Sequence, residues 1–218
     1  MIDIKQQEEV LIAIGDLIEK KMVVYAIGGT AMMLRNIKDT TLDVDLVFDK
    51  QDDRNRFTNA LKKLGAKKSD TTLFYKPKDN VPIIISLLNA RFDLFMNKII
   101  TSLFSENMKK RAGMIHEFGK NLIVKVADIH DIIIMKSVTS RAKDLDDIAT
   151  LIKKNQISWD VIIEEAEDQV KLGNELAIIS LGERFEKLNK LKEVTIPKPV
   201  LDRLWDLLNK GADKKRFF

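Results

Sequence analysis

The spacing of apolar residues changes character near residue 126, and that change restricts the fold more than any single motif. Before it, short β-rich runs alternate with helical stretches: a helix through Ile4, Val10, Leu11, Ile14 and Ile18, then a strand over Met22–Ile27 stopped by Gly28-Gly29. A short helix follows over Thr30–Leu34, with Gly29 or Thr30 supplying its start. The alternation of Leu42–Phe48 predicts a half-buried strand, and Asp52–Leu64 returns to helical period with Gly65 just past its end. Three more strands are expected over Thr72–Lys76, Ile83–Leu88 and Arg91–Met96, the first two joined by a turn at 76–80, and a hairpin over Met114–Phe118 and Leu122–Val126. From Asp128 onward the period is helical almost throughout, over about 128–139, 143–154, 158–172, 175–191 and 198–210, with 214–218 a loose tail. The expected class is α+β: a small mixed β-sheet core with flanking helices in residues 1–126, then an all-helical C-terminal bundle in 127–218.

Composition narrows the chemistry. The chain has no cysteine, which excludes a disulfide scaffold, thiolate metal sites and cysteine nucleophiles. Two histidines, His116 and His130, are too few for a multi-histidine metal site, so a metal would have to rest on carboxylates, which suits a hard ion such as magnesium or manganese. The net charge of +4, from 37 basic and 33 acidic residues, is not the footprint of a basic nucleic-acid-binding domain, although a polyanionic substrate is still permitted. The longest uncharged run, Met22–Leu34, is too short to span a bilayer, and the first twenty residues lack the pattern of a signal peptide. The expectation is a soluble, cytoplasmic chain with no membrane partner.

Three features could carry chemistry. Asp43 and Asp45, two apart on a strand, project from one face while Leu42, Val44 and Leu46 take the other. Neighbouring anions repel, and a divalent cation would resolve the repulsion; the alternative is a strand with its acidic side in water. Gly28-Gly29-Thr30, ending the preceding strand, offers backbone amides and a hydroxyl to a phosphate, or is a plain strand-to-helix turn. It is not a P-loop, because no Gly-Lys-Ser/Thr follows, and it lacks a dinucleotide fingerprint. Asp93, in Arg91-Phe-Asp-Leu-Phe, would join the pair if its strand lies alongside, giving three carboxylates suited to two metal ions and to general-base work.

Gly28-Gly-Thr followed by Thr41-Leu-Asp43-Val-Asp45 resembles the signature of the DNA polymerase β-like nucleotidyltransferase superfamily. Within it the chain is similar to the AbiEii-type and minimal nucleotidyltransferases, through Asp131-Ile-Ile-Ile-Met-Lys136 and the step Arg141-Ala-Lys143-Asp144-Leu-Asp-Asp147. The likeness covers about residues 22–154. It departs at Thr30, where serine is common, and finds no motif between 50 and 90. The resemblance implies Asp43 and Asp45 as metal ligands, Asp93 as third ligand or base, and Mg²⁺ (or Mn²⁺) as cofactor. Gly28, Gly29 and Thr30 would hold a nucleoside triphosphate such as ATP, with Arg35, Lys136 and Lys143 as further cations toward it. The acceptor hydroxyl would belong to a tRNA or other RNA end, or to a protein; an AbiEii-like role would make the chain the toxin of a toxin–antitoxin pair, with a cognate antitoxin as partner.

Other readings stay open. Lys136 lies in an apolar stretch and either snorkels, reaches a phosphate, or pairs with Asp144 and Asp147, three apart on one helix face, in a structural network. Lys143 is a solvated charge or a triphosphate contact. His130-Asp131 is not an HD-hydrolase site, since the further histidines are missing, and Trp205 and Trp159 fit core packing better than base stacking. A catalytically silent nucleotide- or RNA-binding module of the same fold is the alternative function. An aminoglycoside-type transferase, a third reading, would need an acidic acceptor groove that the even charge balance does not reveal.

Overall fold

A computed structural model describes residues 1–68 and 80–215, with side chains through residue 209. The strand expected over Thr72–Lys76, nearly all of the turn after it, and residues 216–218 lie outside the described residues. Contacts divide the chain into two compact units, one of Met1–Ile99 with Met108–Asp128 and one of Ile100–Asn107 with Ile129–Phe218.

The first unit is built on a mixed sheet. In chain order it has β1 (Ile2–Asp3), α1 (Ile4–Leu17), β2 (Met22–Ala26), α2 (Gly28–Leu34), β3 (Thr40–Thr41), β4 (Asp43–Phe48), α3 (Gln51–Lys63), β5 (Lys67–Lys68), β6 (Ile83–Leu87), β7 (Ala90–Met96) and β8 (Lys98–Ile99). After β9 (Ser102–Leu103) and α4 (Glu106–Arg111), the hairpin β10 (Met114–Phe118) and β11 (Leu122–Val126) completes it. The main strand order is β10-β11-β2-β4-β7-β6-β5. Strands β11/β2 and β4/β7 run parallel, while β10/β11, β2/β4, β7/β6 and β6/β5 are antiparallel.

Local chemistry sets where α1 begins. The Asp3 carboxylate accepts the Gln6 amide at 2.8 Å, and the Gln6 side-chain oxygen accepts the Asp3 amide at 3.2 Å, a reciprocal cap. On α3, Phe57 meets Phe48 edge-on at 5.3 Å and Phe92 at 6.3 Å. This packing turns the even-numbered residues of β4 and β7 (Val44, Leu46, Phe48, Phe92, Leu94) toward the helix side. The odd-numbered Asp43, Asp45, Arg91 and Asp93 therefore share the opposite face.

The half-buried strand expected at Leu42–Phe48 is not what forms. Val44, Leu46, Val47 and Phe48 are all fully buried and Asp43 is only 5% exposed. The reason is position: β4 lies between β2 and β7 in the middle of the sheet, where both faces are covered. Strands β1, β3, β5, β8 and β9 were not readable from the sequence because two residues carry no period.

The second unit contains α5 (Ile129–Ser137), α6 (Ala142–Lys154), α7 (Trp159–Lys171), α8 (Glu175–Lys190) and α9 (Lys198–Lys215), the last running past its expected end. Ile132, Ile148, Ile162, Ile178, Phe185 and Leu204 are fully buried in it. Gln169 of α7 accepts the Leu103 amide at 3.0 Å and donates to the Leu103 carbonyl at 2.7 Å, tying the 100–107 segment to that helix. Trp205 is half-buried rather than core. Its ring lies over Gly182, where a Cβ would come within 2.8 Å of it, and its Nε1 donates to Glu186 at 2.9 Å. Trp159, also half-buried, meets Phe185 edge-on at 5.9 Å. Among the described residues no helix is long and apolar enough to cross a membrane.

Candidate functional site

The parallel register of β4 and β7 pairs Asp43 with Arg91 and Asp45 with Asp93, so three carboxylates and one guanidinium form a block on one sheet face. Strands lie about 4.8 Å apart and alternate residues on a strand about 7 Å apart, which sets the spacing of the block. Asp93 is fully buried, Asp43 nearly so, and Asp45 half-buried.

Arg91 binds two of the three acids. Its Nε and Nη2 donate to the two oxygens of Asp93 at 3.0 and 3.1 Å, and the same Nη2 lies 2.5 Å from Asp43 Oδ2. The planar fork of a guanidinium suits this bidentate grip. Sequence reasoning gave Arg91 no role. The signal was there: an arginine two residues before an acid on a strand faces the same way as that acid.

The glycine turn abuts this block. Thr30, fully buried, accepts the Asp45 amide on its hydroxyl at 2.8 Å, and the same hydroxyl donates to the Asp43 carbonyl at 3.4 Å. The Ile27 amide donates to the Asp45 carbonyl at 3.2 Å. Together these bonds pin the start of α2 to the backbone that carries both acids. Gly28 has φ +54°, and a Cβ there would stand 2.6 Å from Asp45 Oδ2. Only glycine meets both conditions without strain. A Cβ on Gly29 would strike the Thr41 hydroxyl. Arg35, at the C-terminal end of α2, donates from Nε to the Ala127 carbonyl at 2.8 Å and lies 3.8 Å from Asp128.

The remaining two sequence-predicted residues belong to the second unit. Lys136 is 5% exposed and donates to Asp144 at 2.9 Å and Asp147 at 2.6 Å, which is the geometry of the ion-pair network. Asp144 also accepts from Thr139 at 2.5 Å and from Arg141 Nε at 2.7 Å, and Arg184 donates to the Thr139 carbonyl. Burial alone would raise the Asp144 carboxyl, but Lys136, then Arg141 and the hydrogen bonds, outweigh it and hold it at about 2. Burial likewise opposes the Lys136 charge, and the two aspartates overcome it and raise the amine above its ordinary value. Lys143 is half-buried in the first turn of α6. His130 accepts the Ser158 amide at 2.9 Å, a link to the start of α7.

By donor chemistry the carboxylate face suits a divalent cation, since all its ligating atoms are hard oxygens. A positive group already stands between Asp43 and Asp93 in the form of Arg91. Among the described residues, no three acids or histidines are drawn together as a ready-made metal cage. The donor atoms are therefore of the right kind for a hard cation, while the positive charge between Asp43 and Asp93 is the Arg91 guanidinium.

The chain belongs to the family described as nucleotidyltransferase of unknown function (DUF6036), whose model matches residues 1–191. A comparison with curated proteins finds no match. The fold is also similar to the crystal structure of ANT(2″)-Ia in complex with adenylyl-2″-tobramycin, at 13% identity and a TM-score of 0.46, over 83% of this chain and 98% of that one. The family model alone places the chain among nucleotidyltransferases.

Proposed function

We propose that the chain transfers a nucleoside monophosphate from a nucleoside triphosphate to an acceptor hydroxyl, using the face formed by Asp43, Asp45 and Asp93. The observation that carries this reading is the register Asp45↔Asp93, which groups three acids beside the Gly28 turn. Asp43 and Asp45 would hold a divalent cation, magnesium or manganese, with Asp93 as the third carboxylate. Such an ion supplies charge neutralisation on the reacting phosphates when bound.

The chain's own part is positioning. Gly28 and Gly29 present backbone without side chains to the triphosphate, and Thr30 acts indirectly by fixing the backbone of Asp43 and Asp45. Arg35, beside Asp128, would be an outlying cation toward phosphate, and Lys136 is a brace within its own unit. The acceptor oxygen would attack the α-phosphorus as the bond to pyrophosphate breaks, and the hydroxyl proton would pass to Asp93 once one of its oxygens leaves the Arg91 fork. An RNA end or a protein hydroxyl serves as acceptor. A toxin role with an antitoxin partner is the further consequence if the acceptor is an RNA that translation needs.

A second reading has one observation in its favour. Arg91 already compensates Asp43 and Asp93, as it would in a catalytically silent nucleotide- or RNA-binding module. Transfer from each α-labelled nucleoside triphosphate to total RNA and protein, with Mg²⁺ or Mn²⁺, separates the two. Label that appears with the intact chain and vanishes in Asp43→Asn/Asp45→Asn supports transfer and identifies the acceptor class. Nucleotide binding with no label in RNA, protein or small molecules would leave the silent module.

A further inference from the structure

Single apolar side chains stand in water on most protein surfaces, but a group of them beside a reactive site needs a reason. Such a group lies at the end of β4 and β7 that carries Asp43 and Arg91. Leu88 and Asn89 form the two-residue connection of the β6/β7 hairpin, closed by the pair Leu87↔Ala90, and Leu88 is 91% exposed. Leu42, 50% exposed, directly precedes Asp43, which pairs with Arg91 just past the hairpin tip. The pair Ile2↔Thr41 sets Met1, also exposed, next to Leu42.

Leu88 is costly where it stands. Its φ is +51°, in the left-handed region that glycine and asparagine tolerate and leucine resists. Asn-Gly or Gly-Gly satisfies a two-residue hairpin turn, and the exposed leucine buries almost nothing in return. Backbone and solvent both disfavour a side chain that the fold does not use, and a cost of that kind is the mark of a contact with another molecule.

Position and chemistry narrow that molecule. The glycine turn follows β2, on one flank of β4, whereas the β6/β7 hairpin lies on the other flank. The tip of the hairpin is thus on the side of the acids away from the turn that would take the triphosphate. Leu88, Leu42 and Met1 are neither cationic nor aromatic, while a single-stranded RNA end is met by basic and stacking side chains. Aliphatic chains and a thioether instead match the apolar side chains of a polypeptide.

We propose that Leu88, with Leu42 and Met1, forms an acceptor-docking rim, and that the acceptor is a protein hydroxyl flanked by apolar residues. This rests on reading the Asp43, Asp45 and Asp93 face as the site of nucleotidyl transfer. The step is unchanged: the protein hydroxyl oxygen bonds to the α-phosphorus, pyrophosphate leaves with the electrons of the broken bond, and the proton passes to Asp93.

The test uses the full chain, each α-labelled nucleoside triphosphate, and total cellular protein and total RNA as acceptors. It compares the parent with Leu88→Gly, Leu88→Met and Leu42→Ser. Losing one covered leucine contact weakens docking by about tenfold. Leu88→Gly should therefore label protein about tenfold more slowly below acceptor saturation, with nucleotide affinity unchanged and Tm at or above that of the parent, since glycine relieves the turn. Leu88→Met keeps an apolar chain and should retain most of the rate. Leu42→Ser should slow protein labelling as well. A leucine that serves only the fold would show the opposite, a lower Tm with transfer intact. Unchanged protein labelling in both Leu88→Gly and Leu42→Ser, or label from the parent in RNA or small molecules alone, overturns the rim and leaves nucleotidyl transfer standing. Weaker nucleotide binding by Leu88→Gly would put the rim on the nucleotide and overturns it equally. No label from the parent in any fraction overturns the transfer reading, and the rim with it.

Discussion

The Thr30 hydroxyl accepts the backbone amide of Asp45 at 2.8 Å, across a separation of fifteen residues, and by this bond α2 and β4 are held in one geometry. Thr30 is fully buried, so the amide has no water to turn to if the hydroxyl is removed. Thr30→Val keeps the shape and deletes the acceptor. It should cost about 1–3 kcal/mol in urea denaturation. Thr30→Ser keeps the hydroxyl and should lose clearly less. Equal losses would mean that the methyl group, not the hydroxyl, matters.

Gly28 is the position where backbone and carboxylate leave no room. Gly28→Ala would face the left-handed backbone penalty of about 1–2 kcal/mol and a Cβ pressing on Asp45 Oδ2. The carboxylate must move to relieve the contact, and misplacement of a catalytic group by about 1 Å costs on the order of a hundredfold in rate. The expected result is a modest fall in Tm together with a much larger fall in transfer activity. A variant that keeps full activity would separate the Gly28 turn from the site.

The shared face of Asp43 and Asp45 and the glycine turn were legible because strand alternation and turn chemistry are local, whereas Asp93 was an expectation that depended on its strand pairing with β4. The five long C-terminal helices were legible for the same local reason. Tertiary arrangement was not. Nothing in Leu42–Phe48 announces that β4 takes a central place with both faces covered, and that depends on β2 and β7 arriving on either side. Arg91 was visible as a residue, but its grip on Asp43 depends on a parallel register with a strand about fifty residues away. Lys136 was open between a phosphate contact and an ion pair because helical spacing fixes the turn on which a lysine lies, not which carboxylates the next helix brings to it.

The Lys136 cluster predicts a separation between stability and binding. Removing one partner of a buried ion pair leaves unmatched charge and costs about 3–5 kcal/mol. With the amine 5% exposed and held by Asp144 and Asp147, Lys136→Met should destabilise the chain by about that amount. Replacing the three residues together, Lys136→Met with Asp144→Asn and Asp147→Asn, should recover part of the loss, because no buried charge is left unmatched and the Arg141 side chain that loses Asp144 is about half exposed to water. Nucleotide affinity measured below the melting range should stay close to that of the parent. A large drop in nucleotide affinity with the fold intact would instead make Lys136 a phosphate ligand.

The same cluster gives a pH dependence of definite sign. Asp144 is held at about 2 against an ordinary 3.8, so the folded chain favours its ionised form more than the unfolded chain does. Its contribution to stability, about 2 kcal/mol by linkage, is complete above its ordinary value and is lost as pH falls from about 4 toward 2. Lys136, raised in the folded chain, contributes in full below its ordinary 10.5 and loses that contribution as pH climbs through its higher folded value. Unfolding free energies of the parent and Asp144→Asn, compared from pH 2 to pH 9, should differ by a constant amount between about pH 5 and 9. That difference should shrink below pH 4. A difference that holds steady down to pH 2 would mean that Asp144 contributes by packing and neutral hydrogen bonds rather than by its charge.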